Sequence, residues 1–318
     1  MQRRLLRRKL VEVAFPEQLG SDDLEKSLKA VGLKPDVRGR FLFDLTQVQF
    51  APLETLVALL CLVNRFADEG ADVALHWSDE QGSFGYAERM GFFELLHEDV
   101  DVMPLRPEGG TIYKGTNPLL LEMTALPLDR LKSADSALKK LTNRLQENLS
   151  GNAEVEAIVN RIWTCASETV SNIYEHSESP VPGVITVQRY ATKEGGSRLQ
   201  LVIADAGLGL TATIRKGNPM GVRGRSEVQL ILAAFQEGIS SKLEPGRGCG
   251  LTKCAQLAAI FAGNLRVRTG STWAKLVTKS KKGWTVGIYD DAAVQLPGTQ
   301  IVFDFYLDRV AKRANLFH

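Results

Sequence analysis

Glu168, Asn172 and His176 follow one another at four-residue intervals, so on a helix they share one face. The helix around them is otherwise largely apolar, and polar groups buried in such a setting need partners or a ligand. A carboxylate there can take a proton, and an amide oxygen can ligate a hard cation. His176 is assigned to structural hydrogen bonding and left outside the candidate site. Asp205 closes the apolar run Leu201-Val202-Ile203-Ala204, which places it at the end of a strand. Gly207 and Gly209 follow and let the backbone turn and come close to a ligand. Gly246, Gly248 and Gly250 lead into a helix opening at Leu251, where free amides and the helix dipole face an anion. No Gly-Lys-Ser/Thr follows, so this is not a P-loop, and the glycine spacing is not that of a dinucleotide fingerprint. Lys242 and Arg247 lie beside these glycines, where a cation could meet a terminal phosphate; exposure alone is their default reading.

A fourth stretch, Pro297-Gly298-Thr299-Gln300-Ile301-Val302-Phe303, enters an apolar strand through Gly-Thr. In this order and with these separations, the four pieces resemble the N, G1 and G2 boxes and last strand of the GHKL ATPases. That group includes gyrase B, the heat-shock chaperones, histidine kinases and MutL. The run of Glu, Asn and His is similar to that of the anti-sigma-factor serine kinases. The resemblance spans about 135–308. It implies bound ATP and Mg²⁺, with Asn172 on the metal and Glu168 as general base toward a water or a partner hydroxyl. It further implies that Asp205 accepts the exocyclic amine of adenine and that Thr299 helps hold the base. Gly207, Gly209, Gly246, Gly248, Gly250 and Leu251 would line the nucleotide.

These residues need a scaffold, and the hydrophobic pattern supplies one. Amphipathic helices are expected over 135–149 and 154–176, and a further helix from Leu251 to Phe261, ended by Gly263. Strands are expected over 119–126, 184–190, 199–204, 264–269, 273–278, 284–289 and 300–307, the second and third joined as a hairpin around Gly195-Gly196. Between 211 and 245 the only helix expected is 227–235. Helices with mainly antiparallel strands read as an α+β layered fold.

The first part of the chain alternates differently: strand 9–15, helix from Ser21 to about Val31, strand 40–45, helix from Pro52 to Gly70, strand 71–77, a short helix to Gly91, then Phe92-Phe93-Glu94-Leu95-Leu96. Phe41 to Leu96 resembles a STAS domain, the α/β fold of anti-sigma-factor antagonists. It departs from that family at the helix start, where Pro52-Leu53-Glu54-Thr55 puts Leu53 at the phosphoacceptor position. A phosphorylation switch is therefore not expected there. The Pro- and Gly-containing stretch 104–118 reads as a linker, which divides the chain into 1–103, a STAS-like regulatory domain, and 119–318, a GHKL ATP-binding domain.

With 318 residues, 44% of them hydrophobic, the chain is long enough for two domains with buried cores. A net charge of +2 argues against nucleic acid as the partner. The basic cluster Arg3-Arg4, Arg7-Arg8-Lys9 reads as a solvated start. Cys61, Cys165, Cys249 and Cys254 form no Cys-x-x-Cys pair and suggest reduced thiols and a cytoplasmic location. No run is long enough to span a bilayer. The leading expectation is a protein that couples nucleotide state to a protein partner, through protein-serine phosphorylation or through hydrolysis that opens and closes a homodimer. The alternatives are a non-catalytic module with a structural adenine nucleotide, and a nucleic-acid-directed ATPase resting on the basic start and Lys279, Lys281 and Lys282.

Overall fold

The computed structural model describes residues 9–33, 39–78, 80, 82–107, 120–149, 155–193, 195–239, 249–260, 263–280, 283–290 and 292–307. The basic cluster through Arg8, the end of the expected linker, and Lys281 and Lys282 lie outside them. The chain forms two compact units, Met1–Thr116 with Ala293–Leu296, and Asn117–Ala292 with Pro297–His318.

In the first unit, β1 (Leu10–Ala14), β2 (Arg40–Leu45), β3 (Asp72–Trp77) and β4 (Val100–Met103) pair in that order, all parallel. Between them run α1 (Ser21–Ala30), α2 (Leu53–Asp68), α3 (Gly82–Arg89) and α4 (Phe92–Leu95). Strands β2 and β3 alternate, with Phe41, Phe43, Leu45, Val73, Leu75 and Trp77 buried and the residues between them half-buried. That is the two-residue period of a sheet with one dry face. Helix α2 is buried nearly all round, including Leu53, Leu56, Val57, Leu59 and Leu60 at 0% exposure. Two of the unit's polar side chains tie the end of α4 and the turn after it together. Asn64 donates to the Leu95 carbonyl and accepts the His97 N–H, both at 2.8 Å. Arg106, in the stretch expected to be linker, donates to the carbonyls of Phe93, Leu96 and His97. Burial lowers its guanidinium from the ordinary arginine value. The sequence pattern gives no sign of β4, a four-residue strand whose one neighbour is β3.

The second unit is a seven-stranded sheet in the order β10-β9-β8-β11-β7-β6-β5. Its strands are β5 (Leu120–Leu126), β6 (Gly183–Ala191), β7 (Ser197–Ala204), β8 (Asn264–Gly270), β9 (Thr272–Ser280), β10 (Gly283–Asp290) and β11 (Leu296–Tyr306). Helices α5 (Arg130–Asn148), α6 (Val155–His176), α7 (Leu210–Gly217), α8 (Glu227–Gln236) and α9 (Cys249–Ile260) share one core with it. The register explains that core. Ile203 of β7 pairs with Ile301 of β11 and Ile185 of β6, and Leu201 pairs with Phe303 and Val187. All six sit in the core, so one face of three adjacent strands meets the helices.

Helix α7 corrects the sequence expectation, which places no helix at 210–217. Its composition, with two threonines, a β-branched isoleucine and flanking glycines, gives little intrinsic helical preference. Tertiary contacts compensate. Ile214 is buried, and the N–H of Leu210, the first helical residue, donates to Thr299 Oγ1 at 2.7 Å. Among the described residues no helix is long and apolar enough to cross a membrane.

Candidate functional site

A cavity of about 210 Å³ opens in the second unit between α6, α7, the start of α9 and the adjoining ends of β7 and β11. Helix α6 lines it with Glu168, Ser171, Asn172, Glu175 and His176. Asp205 and Gly209 line it from the turn after β7, Leu210, Thr213 and Ile214 from α7, Gly250 and Leu251 from α9, and Thr299 and Ile301 from β11. The proposed face of α6 therefore meets the Asp205 turn and the α9 start in one space. Gly207 supports the turn without lining the cavity. Gly246 and Gly248, with Lys242 and Arg247, lie outside the described residues.

The Asp205 turn is clasped by the two residues at which β11 enters the sheet. Asp205 N–H donates to the Thr299 carbonyl at 2.9 Å, and Gly298 N–H donates to the Gly207 carbonyl at 2.7 Å. The Asp205 carboxylate accepts the Gly207 N–H at 2.8 Å and also the backbone N–H of Thr299. On the other side, Leu208 N–H donates to the Ser177 carbonyl at 2.7 Å, which fastens the turn to the end of α6. Gly207 packs so closely on Ser177 that a side chain there would overlap the Ser177 carbonyl oxygen. Gly298 has φ +78°, and a Cβ on it would overlap the Asp205 carbonyl oxygen. Both positions need glycine for space, and Gly298 also needs it for its left-handed backbone.

Asp205 is 6% exposed. Burial raises its carboxyl from the usual 3.8 to about 6, and the N–H groups of Gly207 and Thr299 oppose that rise. The carboxylate is thus aimed by its backbone partners, and its environment makes its protonation state sensitive near neutrality.

At the other end, Glu168 faces the first turn of α9 closely enough that a side chain at Gly250 would collide with its carboxylate. The start of α9 brings backbone amides to the same end as Glu168 and Asn172. Behind this wall, Cys165 of α6 and Cys254 of α9 are fully buried free thiols, each 3.7 Å from the other's carbonyl oxygen. The hydrogen bond with Cys165 and burial push the Cys254 thiol up, so neither the position nor the chemistry suits a nucleophile.

His176, which the sequence pattern leaves outside the site, lines the cavity together with Ser171, Glu175 and Thr213, which that pattern does not mark. Ser171 donates to Glu175 Oε1 at 3.1 Å, and His176 Nε2 stands 3.9 Å from Glu175 Oε2. The signal for His176 and Glu175 is present in the sequence as continuation of the polar face of α6. Thr213 cannot be found without helix α7.

No protein-family model matches this chain, and no curated protein matches it. Among solved structures, the chain is similar to the histidine kinase domain of the blue-light activated histidine kinase from Erythrobacter litoralis EL346, at 16% identity and a TM-score of 0.28. That match covers 55% of this chain and 63% of the other. It is also similar to the 43K ATPase domain of Thermus thermophilus gyrase B in complex with an aminocoumarin, at 12% identity and a TM-score of 0.25. Here 55% of this chain and 40% of the other are covered, so in both cases less than two thirds of the other chain is spanned.

Proposed function

We propose that the second unit binds an adenine nucleotide as its magnesium complex and carries phosphoryl chemistry at Glu168. The observation that carries this reading is the buried Asp205 carboxylate, aimed by two backbone N–H groups into a cavity whose other end holds Glu168 and Asn172. An aimed acceptor suits the exocyclic amine of adenine. Guanine has a carbonyl oxygen at the equivalent ring position, which the carboxylate repels. Thr299 Oγ1 already accepts the Leu210 N–H, so its own O–H is left to donate toward the base.

The donor set at the far end fits Mg²⁺. Among the described residues no three His, Cys, Asp or Glu side chains cluster tightly enough to hold a metal unaided. Magnesium is commonly held by one or two protein oxygens together with substrate phosphates. Asn172 would hold it here, and the bound ion would neutralise phosphate charge. Glu168 then takes the proton of the attacking O–H, on a water or a protein serine. The likeness of Phe41–Leu96 to STAS domains supports the first unit as the contact for a protein partner.

Calorimetric titration of the full chain with ATP and GTP in Mg²⁺ tests binding, and incubation with labelled ATP, alone and with cell extract, tests the chemistry. We expect ATP to bind well ahead of GTP, and either free phosphate or a labelled protein to appear. Equal affinity for the two nucleotides removes the role of Asp205. Tight ATP binding with no turnover under any condition favours the non-catalytic module.

A further inference from the structure

We propose that His176 reads the ribose of the bound nucleotide and makes the cavity selective for ribonucleotides over deoxyribonucleotides. This rests on the adenine-nucleotide reading above. Glu168, Asn172 and His176 occupy successive turns of one face of α6, roughly 5–6 Å apart. Their order along the cavity is fixed at both ends. Glu168 abuts Gly250 at the start of α9, where helix amides favour phosphate oxygens. At the opposite end, the His176 carbonyl accepts the Thr213 hydroxyl at 3.3 Å, and the next residue, Ser177, accepts Leu208 N–H from the Asp205 turn. A nucleotide with its base on Asp205 and its phosphates toward Asn172 and α9 must pass its sugar along His176.

The chemistry of this part of the wall agrees. Among the described residues no lysine or arginine lines the cavity, whereas Glu168, Glu175 and Asp205 do. His176 sits in the last turn of α6, where the helix dipole is negative and disfavours a phosphate. A sugar hydroxyl is neutral and both donates and accepts. The imidazole of His176 and the neighbouring carboxylate of Glu175 offer it matching partners. The His176 side chain is 21% exposed, so a hydrogen bond there is partly shielded from water.

The test is calorimetric titration of the full chain, in Mg²⁺, with ATP, 2′-deoxy-ATP and 3′-deoxy-ATP. We expect the wild type to prefer ATP over at least one deoxy analogue by about tenfold, the worth of one hydrogen bond. His176→Ala should lower ATP affinity to the level of that analogue, leave the analogue's affinity unchanged, and so bring the ratio near one. His176→Gln, which keeps a donor, should recover part of the preference. A purely structural role for His176 would weaken all three ligands together, and that outcome overturns the proposal. Equal binding of all three by the wild type also overturns it, with no variant needed, while leaving the adenine-nucleotide reading intact. A wild type that binds no adenine nucleotide overturns both.

Discussion

Polar groups in the two units are used in opposite ways. In the first unit, the helix start that most resembles a functional position is sealed: Leu53 and Thr55 are both 0% exposed. Asn64, Ser83, Trp77 and Arg106 spend their hydrogen bonds on nearby side chains and carbonyls of the same unit. In the second unit, Glu168, Asn172, Glu175 and His176 are half-buried along an open cavity. The same contrast holds within that unit. Glu227 receives the hydroxyls of Thr211 at 3.1 Å, Thr272 at 2.8 Å and Ser271 at 3.4 Å, tying α7 and α8 to the β8–β9 turn without lining the cavity. Glu227 is saturated by its own fold away from the cavity, whereas Glu168 stands on the cavity wall beside Gly250.

The sharpest way to break this contrast is to remove Glu168. If it activates the attacking group and does not bind the ground-state nucleotide, Glu168→Ala should cut turnover by about 10²–10⁴-fold, the range for a lost general base. ATP affinity should stay nearly unchanged. Steady-state turnover paired with a binding titration checks both halves, and wild-type turnover in the variant would reduce Glu168 to a wall residue. The counterpart in the first unit is Leu53→Ala. A fully buried leucine removed from α2 should cost about 2–5 kcal/mol of stability, read by denaturant unfolding. Nucleotide affinity of the second unit serves as the internal control, and a loss under about 1 kcal/mol would mean that the position is less tightly packed than its burial implies.

Most strands and the long helices are legible in the sequence because their patterns are local. The two-residue period of Leu199, Leu201 and Ile203, and the four-residue steps on α6, declare which face is buried before any partner is known. Residues Asp205, Gly207, Gly298 and Thr299 are legible as motifs, but the clasp between them is not, since it joins positions about ninety apart in the chain. Helix α7 is illegible for the same reason: its N-terminus is capped by Thr299 Oγ1, and no helical preference of its own betrays it. Strand β4 is four residues long and depends on pairing with β3, which no pattern within Val100–Met103 announces.

Asp205→Asn sharpens the comparison at intermediate cost. The amide keeps size and loses charge, so affinity for ATP should fall by about 1.5–3 kcal/mol, the worth of a hydrogen bond to a charged group. The ligand-free protein should change in the opposite sense. Because the folded carboxyl is raised from 3.8 to about 6, the native state holds a proton that the unfolded chain has released across that interval. Stability therefore falls as pH rises from about 4 to about 6, by an amount on the order of 3 kcal/mol from this one group. An amide at this position does not titrate, so the variant should lose that part of the pH dependence, and its stability relative to the wild type should rise as pH rises from about 4 to about 6. Thermal melts of both proteins from about pH 4 to 8 give the answer, and parallel pH profiles would show that Asp205 does not titrate as its burial requires.

The smallest expected effect is at Thr55, where the prediction is that nothing happens. Its hydroxyl is fully buried at the start of α2, with Ser21 Oγ 3.5 Å away. A kinase must grip an accessible O–H, and a phosphate would bring close to two negative charges into a site already holding the nearly buried Glu54. The residue at the position where a STAS switch carries its phosphoacceptor, Leu53, has no hydroxyl at all. Incubating the full chain with Mg-ATP and cell extract, followed by mass spectrometry of the peptide containing Pro52 to Thr55, should therefore find no phosphate. Thr55→Val, close in shape, should leave nucleotide binding and any phosphoryl transfer by the second unit unchanged. Phosphate on Thr55, or loss of partner response in Thr55→Val with folding intact, would mean that this helix start opens in solution and that the first unit is a switch after all.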